Sequence, residues 1–541
     1  MASGSQILAR ALRKQGIDTF FYLMGGPMLA AESACIEEGL RAIDVRHEQA
    51  AAMMAHAYGR VLNKLGVCMA ASGPGATNLI TGVANAWADC APLLAVGGSS
   101  PVSQWGRGAF QEMDQVAAFR PITKWSERCV DPKRIPEYVA TAIRTAFSGR
   151  PGPVYLDLPG DILYREVDEA EVHYPGPSPR PRPIADPGLI SEAIQLLQRA
   201  ERPVVISGSG ILWSAAEAEL QQLVELLGIP FYTTPQGRGV VPDDHVLSFP
   251  SARATAFREA DVLLVIGTRI NYVISQLGPP RFRADARLIQ VDADASEIGH
   301  NRPADVGIVG DARAVLRQLV AGADGRVDAR RFGPWLQYLR DVEAAKRRNA
   351  ELAMSTEQLP IHPLRLCKEV RDFLDRDAIL CVDGQEILNY GRQSIPTFVP
   401  RHRLNSGPFG TMGVGLPFGI GAKVAKPDTQ VLVLHGDGSF GMNAMELDTA
   451  ARFSIPVLTV ISLNGGWTAD PQRIKPGRDL GYTPFHKMAQ ALGCYGEQVE
   501  EPSEIRPALE RAAASGCPAV VNVVTDWQAR ATTQQFAVYS T

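Results

Sequence analysis

The fold is decided by the stretch Leu434-His435-Gly436-Asp437-Gly438-Ser439, which follows an apolar run and precedes a helical pattern from Asn443 to Arg452. Its two glycines let the backbone approach a bulky anion closely, and the N-terminus of a following helix supplies N–H donors and a positive dipole. A carboxylate at the end of a parallel strand points into the crevice at the carboxyl edge of the sheet. The stretch therefore predicts an anion site at this edge, with Asp437 beside it.

The next apolar run supplies a partner for this carboxylate. The run 457–463 reads as a strand and ends at Asn464, with 25 residues between Gly438 and Asn464. Because neighbouring parallel strands end at the same edge, Asp437 and Asn464 are expected to lie close together. A carboxylate, an amide oxygen and a backbone carbonyl, here of Gly466, suit Mg²⁺ together with phosphate oxygens. For the tripeptide Gly-Asp-Gly alone, an ordinary turn is the better interpretation.

The whole chain follows the same alternation of short apolar runs and helical patterns. Its 541 residues are too many for one core. Alternation of this kind is typical of parallel sheets covered on both faces by helices. A proline-rich run, 175–187, reads as a linker, and a second break falls near residue 360. We therefore predict an α/β protein with three domains, each a mostly parallel sheet flanked by helices, at residues 1–170, 188–330 and 358–541.

Composition excludes several classes of function. A net charge of −4 with 45% hydrophobic residues favours neither nucleic acid nor a membrane surface as a partner. The longest apolar runs are strand-sized, far below the ~20 residues that a membrane span needs. There is no basic-then-apolar export signal at the start, and none of the eight cysteines forms a C-x-x-C pair. We expect a cytoplasmic protein with buried, free thiols.

The spacing from Gly436-Asp437-Gly438 to Asn464 resembles the thiamine-diphosphate signature. That resemblance implies thiamine diphosphate and Mg²⁺ as cofactors, with Gly436, Asp437, Gly438 and Ser439 binding the diphosphate. The usual form of the signature ends in two asparagines, whereas this chain has Asn464-Gly465-Gly466-Trp467. The first asparagine, the expected metal ligand, is kept.

A second element of such a site lies in the first domain. Thiamine needs a carboxyl group at its pyrimidine nitrogen, so that its own amino group can act as a base. Glu48 lies at a strand-to-helix junction in an apolar setting, where burial raises the pKa of a carboxyl group. Alone, Glu48 is better explained as a first-turn helix residue. Beside the diphosphate motif it resembles the catalytic glutamate of the family.

Two glycine-rich stretches complete the resemblance. The stretch 407–415 resembles the loop in which an apolar residue, here Met412, bends the cofactor, while the Gly410 carbonyl holds its amino group. The stretch 73–78, ending in Asn78, recurs in the family beside the pyrimidine ring. The chain as a whole resembles the acetolactate synthase and pyruvate oxidase superfamily. In that superfamily two subunits share each site, which implies a homodimer or a homotetramer.

The middle domain indicates which branch of the superfamily is involved. Residues 266–282 resemble the stretch G-x-R-x-N-(aromatic) … G-x-P-x-(aromatic) of 2-hydroxyacyl-CoA lyases and oxalyl-CoA decarboxylases. Arg269 and Asp292 are the candidates for the phosphate and ribose of a nucleotide. A surface salt bridge is the alternative role for each. The resemblance leaves open whether this domain holds ADP, the CoA nucleotide or neither.

Substrate residues are expected from two further stretches. Phe110 and Gln111 resemble an active-site loop in which the aromatic residue lines the pocket and the amide bonds the substrate oxygen. Glu497 falls where the common lyases carry an aromatic residue, and it resembles the bacterial lyases that act on 2-hydroxyisobutyryl-CoA. It is expected to act as a general acid/base, with a solvated glutamate as the alternative. The tail 530–541 is expected to be either a lid over the thioester or disordered.

These patterns predict a lyase that splits a short or branched 2-hydroxyacyl-CoA into formyl-CoA and a ketone or aldehyde, or joins them in reverse. The expected partners are therefore a CoA thioester and a small carbonyl compound. Three alternatives remain open: an acetolactate-synthase-like carboligase or decarboxylase of 2-oxo acids, an oxalyl-CoA decarboxylase, and a catalytically silent homologue. Glu48, Asp437 and Asn464 are present, which speaks against the silent homologue.

Overall fold

Three parallel sheets organise the chain. The computed structural model describes residues 1–467, 474 and 476–531. The sheets contain six, five and six strands, and a separate two-stranded antiparallel ribbon joins the chain start to residues 166–167. Helices flank each sheet, so the predicted fold class is confirmed.

The first domain is built on a sheet in the order β3-β2-β4-β5-β7-β6, all parallel. Ser3 caps the first helix in a capping box with Gln6, which satisfies backbone groups at the helix start. The strands are β1 (Ala2–Ser3), β2 (Thr19–Leu23), β3 (Arg41–Asp44), β4 (Gly66–Ala70), β5 (Leu93–Ser99), β6 (Ser126–Arg128), β7 (Val154–Pro159) and β8 (Glu166–Val167). The helices are α1 (Gly4–Lys14), α2 (Leu29–Glu37), α3 (Glu48–Leu62), α4 (Pro74–Ala88), α5 (Gln115–Phe119), α6 (Ile135–Phe147) and α7 (Gly160–Tyr164).

The central domain begins at Pro187, where Asp186 caps the first helix. Its parallel sheet has the order β10-β9-β11-β12-β13, which places a topological switch point between β9 and β11. The strands are β9 (Pro203–Ser207), β10 (Phe231–Thr233), β11 (Val262–Ile266), β12 (Arg287–Asp292) and β13 (Val306–Val309). The helices are α8 (Pro187–Arg199), α9 (Ser209–Ser214), α10 (Glu217–Leu227), α11 (Arg253–Glu259), α12 (Ala312–Ala323) and α13 (Gly333–Met354).

The third domain carries the parallel sheet β15-β14-β16-β17-β19-β18. The strands are β14 (Ile379–Asp383), β15 (Arg403–Leu404), β16 (Val431–Gly436), β17 (Leu458–Leu463), β18 (Tyr495–Val499) and β19 (Ala519–Val524). The helices are α14 (Pro363–Phe373), α15 (Glu386–Ser394), α16 (Gly415–Ala425), α17 (Asp437–Asn443), α18 (Glu446–Arg452), α19 (Phe485–Ala491) and α20 (Ile505–Ala514). The prediction of one helix from Asn443 to Arg452 was wrong, since α17 starts at Asp437 itself and α18 follows as a separate helix.

The hydrophobic cores follow these domains only in part. One core lies wholly in the central domain, and one each belongs to the first and third domains. A further core mixes residues of the first and third domains, because α3 packs directly on α16. The approach is close: a Cβ on Gly421 would lie 2.3 Å from the Met54 carbonyl oxygen. The first and third domains therefore form one packed unit.

The cysteines are all free, as expected from their spacing, but the expectation that they are all buried was wrong. Six are buried, Cys90 is half-buried and Cys517 is exposed. Burial raises the pKa of Cys35 and Cys367 to about 12. Among the residues that the structure describes, no helix has the length and apolar character that crossing a bilayer requires.

Candidate active site

The carboxylate of Asp437 lies where β16 passes into α17, at the carboxyl edge of the third sheet. β16 pairs in parallel with β17, with Gly436 opposite Ser462, so the turn after β17 is adjacent. One oxygen of Asp437 accepts the Gly438 N–H at 2.8 Å, and the other accepts the Gly465 N–H at 2.7 Å. The structure thus brings Asp437 and the Asn464-Gly465-Gly466 turn together.

A small cavity lies between these groups. It is lined by Gly384, Gln385, Met412, Gly436, Asp437, Gly438, Ser439, Asn464, Gly466 and Trp467, among others. Trp467 packs over Gly438 so closely that a Cβ there would lie 2.7 Å from the indole ring. The described residues contain no group of three His, Cys, Asp or Glu side chains suited to a metal. One carboxylate with an amide and backbone oxygens remains as the donor set, and such a set fits Mg²⁺ shared with a diphosphate.

Ser439 is held in place through a buried histidine. His435 Nε2 accepts the Leu416 N–H at 2.8 Å, and its Nδ1 lies 3.0 Å from Ser439 Oγ. Burial lowers the pKa of His435 to about 3, so the ring is neutral and its one proton is assigned to Nδ1. The Ser439 hydroxyl in turn donates to the Gly436 carbonyl at 3.0 Å. The ring therefore links the segment Gly436–Ser439 to the start of α16.

The loop that carries Gly410 and Met412 is fixed at its far end by Asp383. The Asp383 carboxyl is buried and accepts the N–H groups of Gly384 at 2.6 Å and Gly415 at 2.9 Å. Burial raises the pKa of Asp383 to about 6, against the lowering effect of these amides. Met412 lines both the small cavity and a much larger one, so it stands where the two meet.

Glu48 occupies the first position of α3 and is buried. Asn78 donates its side-chain N–H to Glu48 Oε2 at 2.9 Å. The first turn of helix α4, which contains Gly75 and leads to Asn78, approaches closely, since a Cβ on Gly75 would lie 3.4 Å from Glu48 Oε1. The Gly73 N–H at the start of this turn donates to Gln115 at 2.6 Å. The two cofactor residues predicted in the first domain, Glu48 and Asn78, are therefore in contact.

The predicted substrate loop lies against the same turn. Gln111 has a left-handed backbone, with φ +57°, and accepts a hydrogen bond from the Ser72 hydroxyl at 2.7 Å. Phe110 beside it is 84% exposed. Within the described part of the chain, Glu48 lines neither cavity that contains the third-domain residues. The described part of one chain therefore contains two separate groups of predicted site residues, one around Glu48 and one around Asp437.

The larger cavity has a volume of about 1630 Å³ and opens at the switch point of the central sheet. Arg269 and Asp292, the predicted nucleotide residues, both line it. Arg269 donates to the Ala88 carbonyl, which ties the central domain to the first. Burial raises the pKa of Asp292 to about 6, while the Asp294 N–H lowers it. The cavity continues to Gly410 and Met412 in the third domain.

The sequence analysis did not assign seven of the arginines that line this cavity. Three of these seven are Arg253, Arg281 and Arg392. Among the described residues none of them has a carboxylate within 4 Å, although Arg281 donates to the Ser275 hydroxyl at 3.2 Å. Burial lowers the pKa of all three, and neighbouring arginines add to this for Arg253. Desolvated, unbalanced positive charge of this kind favours a bound anion.

Glu497 lies on the edge strand β18 and is engaged in other contacts. It forms an ion pair with Arg511 of α20, and the Tyr495 hydroxyl donates to it at 2.5 Å. The hydrogen bond from Arg511 lowers the pKa of Glu497, against its partial burial. It lines neither cavity. Its expected acid/base role therefore stays a prediction, as does the tail lid, whose residues 532–541 lie outside the described residues.

Comparison with known proteins accounts for all three domains. Models of the thiamine pyrophosphate enzymes match as the N-terminal TPP binding domain over residues 2–118, the central domain over 190–319 and the C-terminal TPP binding domain over 389–523. These three matches follow the order of the three sheets.

Relatives match along nearly the full chain. A 2-hydroxyacyl-CoA lyase of Arabidopsis thaliana is 34% identical, over 97% of this chain and 95% of its own length. The human 2-hydroxyacyl-CoA lyase 1 is 33% identical, over 99% and 96%. An acetolactate synthase large subunit of Mycobacterium tuberculosis is 36% identical, over 96% and 95%. The chain belongs to the thiamine pyrophosphate enzymes. Within them it is a thiamine-diphosphate-dependent enzyme of the lyase and carboligase type.

Proposed function

We propose that this enzyme is a 2-hydroxyacyl-CoA lyase that acts on short or branched substrates such as 2-hydroxyisobutyryl-CoA. The large cavity carries this proposal. Its arginines Arg253, Arg281 and Arg392 suit the phosphates of CoA, and its far end reaches Met412 in the predicted cofactor loop, residues 407–415. Arg269 and Asp292 are available to an adenine nucleotide, either that of CoA or ADP.

The cofactor residues divide between the two groups around Glu48 and around Asp437, each of which would form half of a cofactor site. Asp437, Asn464 and the Gly466 carbonyl would hold Mg²⁺, while the glycines of the turn leave room for a diphosphate. Thiamine diphosphate, when bound, supplies an electron sink for the negative charge that develops on the thioester carbon. Glu48 would share a proton with the pyrimidine nitrogen, and Asn78 keeps its carboxyl oriented.

The reaction breaks the bond between the thioester carbon and the hydroxyl-bearing carbon. The electron pair of this bond stays on the side of the thioester carbon, and the hydroxyl proton passes to a base. The hydroxyl-bearing carbon leaves as a ketone or an aldehyde, and the thioester carbon takes up a proton to give formyl-CoA. Gln111 is the candidate for bonding the substrate oxygen and Phe110 for lining the pocket. Glu497 is the candidate base.

A second copy of the chain would complete each site, because Glu48 lines neither of the cavities near Asp437. Light scattering should therefore give a homodimer or a homotetramer. Two inactive variants, Glu48→Gln and Asp437→Ala, test the sharing when they are unfolded together and refolded. A mixed dimer with shared sites has one intact site, so activity should return in part. If every chain contained a complete site of its own, the mixture would stay inactive.

The substrate assignment is tested by incubating the protein with thiamine diphosphate and Mg²⁺. Four compounds are supplied separately: 2-hydroxyisobutyryl-CoA, lactyl-CoA, oxalyl-CoA and pyruvate. Formyl-CoA together with acetone or acetaldehyde is the expected result. Acetolactate from pyruvate, with every CoA ester untouched, would instead establish an acetolactate-synthase-like enzyme and overturn the proposal. Formyl-CoA from oxalyl-CoA alone would establish a decarboxylase.

The role of the arginines is tested separately with Arg253→Gln. Losing one charge-assisted phosphate contact of about 1.5–3 kcal/mol should raise KM for the CoA ester about 10- to 150-fold. The affinity for thiamine diphosphate should stay unchanged. Arg330→Gln is the matched control, since Arg330 is exposed and paired with Asp328 within its own turn. An unchanged KM in Arg253→Gln would contradict the proposal that this cavity binds CoA.

A further inference from the structure

A buried polar bridge joins the third domain to the segment that carries Glu48. Glu446 is the first residue of α18, and its side chain is buried. Its carboxyl group accepts the N–H groups of Arg46 and His47, each at 3.1 Å, and the Thr449 hydroxyl at 2.6 Å. Arg46 and His47 are the two residues directly before α3. The bridge therefore acts on the backbone immediately ahead of Glu48.

Asn443, at the end of α17, adds a second contact to the same segment. Its amide oxygen accepts from the Gln49 side chain at 2.8 Å. Its amide nitrogen donates to the Gly413 carbonyl at 2.7 Å. Gly413 directly follows Met412, so one side chain contacts both the Glu48 segment and the cofactor loop. Asn443 and Glu446 together hold residues on both sides of Glu48.

The position of these contacts matters because the Glu48 carboxyl has little other support. Asn78 donates to one of its oxygens, and the rest of its orientation follows from the backbone at the start of α3. A group that must meet one ring nitrogen tolerates little misplacement, and a shift of about 1 Å can lower a rate about 100-fold. Fixing the backbone at residues 46–49 fixes the direction in which Glu48 points.

We propose that Glu446 and Asn443 are positioning residues for Glu48, acting through the N–H groups of Arg46 and His47 and the side chain of Gln49. The inference rests on the proposed role of Glu48 in activating the cofactor. The competing explanation is a contact that only holds the two domains together. That explanation predicts lower stability without any specific effect on the chemistry of the cofactor.

The first measurement uses the protein without cofactor. Amide hydrogen exchange of the peptide covering residues 44–52 should become faster in Glu446→Ala, because two N–H groups lose their acceptor. Glu446→Gln should restore protection, since its amide oxygen can accept both N–H groups while its nitrogen donates to the Thr449 hydroxyl. Glu219→Ala is the matched control. Glu219 is a buried glutamate of the central domain paired with Arg313.

The second measurement follows the exchange of the acidic thiazolium proton of bound thiamine diphosphate in the holoenzyme. Glu446→Ala should slow this exchange about 10- to 100-fold, with the cofactor Kd changed less than threefold. Gln49→Ala, at a half-buried position, should slow it by a smaller factor and serves as the second variant if Glu446→Ala folds poorly. Glu446→Gln should return the rate to within about threefold of the parent.

Two results would overturn the inference. One is unchanged peptide exchange in both Glu446→Ala and Gln49→Ala. The other is faster peptide exchange with proton exchange no slower than in Glu219→Ala, which would leave only a domain contact. Failure of the proposed function is recognised separately with Glu48→Gln. If that variant exchanges the thiazolium proton at the parent rate, Glu48 is not the activating group, whatever the peptide exchange shows.

Discussion

The central domain and the pair of outer domains are packed in different ways. The central domain has a core of its own, built from residues between 185 and 339. The first and third domains share a core that mixes residues 21–155 with residues 379–520, although more than 200 residues separate the two segments in sequence. The outer domains thus form one unit in space, with the central domain attached beside it.

This difference in packing corresponds to the different roles proposed for the domains. Both groups of predicted cofactor residues, around Glu48 and around Asp437, lie on the shared unit. The large cavity lies along the junction between the central domain and that unit, with Arg269 reaching the first domain and Met412 contributed by the third. The proposed function therefore places the chemistry on the first and third domains, and the recognition of CoA at their junction with the central domain.

The largest expected effect comes from a variant that disrupts only the chemistry on the first and third domains. Glu48→Gln should lower kcat about 10²- to 10⁴-fold, the range of a lost general acid/base contribution, because the amide cannot share a proton with the pyrimidine nitrogen. Calorimetric binding of thiamine diphosphate with Mg²⁺ should stay within a fewfold of the parent. If Glu48→Gln kept the kcat of the parent, Glu48 would have no role in catalysis.

The two cores are compared directly by matched phenylalanine deletions. Phe418→Ala in the shared core and Phe257→Ala in the central core should each lower the free energy of unfolding by about 3–5 kcal/mol, since both rings are buried. In differential scanning calorimetry, Phe418→Ala should move the transition that bound cofactor stabilises. Phe257→Ala should shift the other transition, that of the central domain. A single transition that both variants shift equally would show that the central domain does not unfold by itself.

A smaller effect, dependent on pH, is expected in the first domain. Burial raises the pKa of Glu32 from 4.5 to about 8, with a further contribution from Asp44. At a pH between these two pKa values, the Glu32 carboxyl is ionised in the unfolded state but keeps its proton in the native state. The native state therefore binds more protons than the unfolded state. The free energy of unfolding should therefore fall as pH rises, by about 1.4 kcal/mol per pH unit from this group.

Glu32→Gln carries no such proton and should flatten that decline. Denaturant melts of the parent and Glu32→Gln at pH 5, 6, 7 and 8 measure the difference between the two curves. Parallel curves over this range would mean that Glu32 ionises normally in the folded protein.

The smallest effect concerns the junction itself. The Tyr272 hydroxyl of the central domain donates to the Pro408 carbonyl at 2.6 Å, in the loop that leads to Met412. Tyr272→Phe should remove about 0.5–1.5 kcal/mol and raise KM for the CoA ester a fewfold, with kcat nearly unchanged. Steady-state kinetics with Tyr338→Phe as the control makes the comparison, since Tyr338 bonds Glu259 at the surface. An equal change in both variants would show no special role for the junction.

The sequence predicted the three sheets because their central strands are long, apolar runs between clear helical patterns. It did not identify β7 or β13, which have six and four residues. It also missed the short strands β6, β10 and β15, which have two or three residues and little periodicity. The sequence placed the helix start at Asn443, six residues after its actual start at Asp437. Glycine has a low helix propensity, so the two glycines argued against a helix there. The edge where Asp437 meets the Asn464 turn followed from topology alone, since adjacent parallel strands end together.

Other parts of the site could not be predicted because distant segments create them. Arg253 comes from α11 and Arg392 from α15, and no local spacing joins them. The bonds from Glu446 to Arg46 and His47 span about 400 residues of sequence. For Glu497, a local resemblance suggested an acid/base role, which stays a prediction. Its ion-pair partner, Arg511, lies on helix α20 and could not be inferred from the local sequence. Contacts of this kind depend on packing between elements, which periodicity does not encode.

The distribution of cysteines has a practical consequence for spectroscopy. The thiolate is the form that reacts with maleimides, and burial keeps seven of the eight thiols covered or partly covered. Cys517, at the end of the segment between α20 and β19, is exposed. The unaltered chain therefore offers one addressable attachment point for a fluorophore or spin label. It lies on the third domain near the edge strand that carries Glu497, and no engineered cysteine is needed to report on that edge.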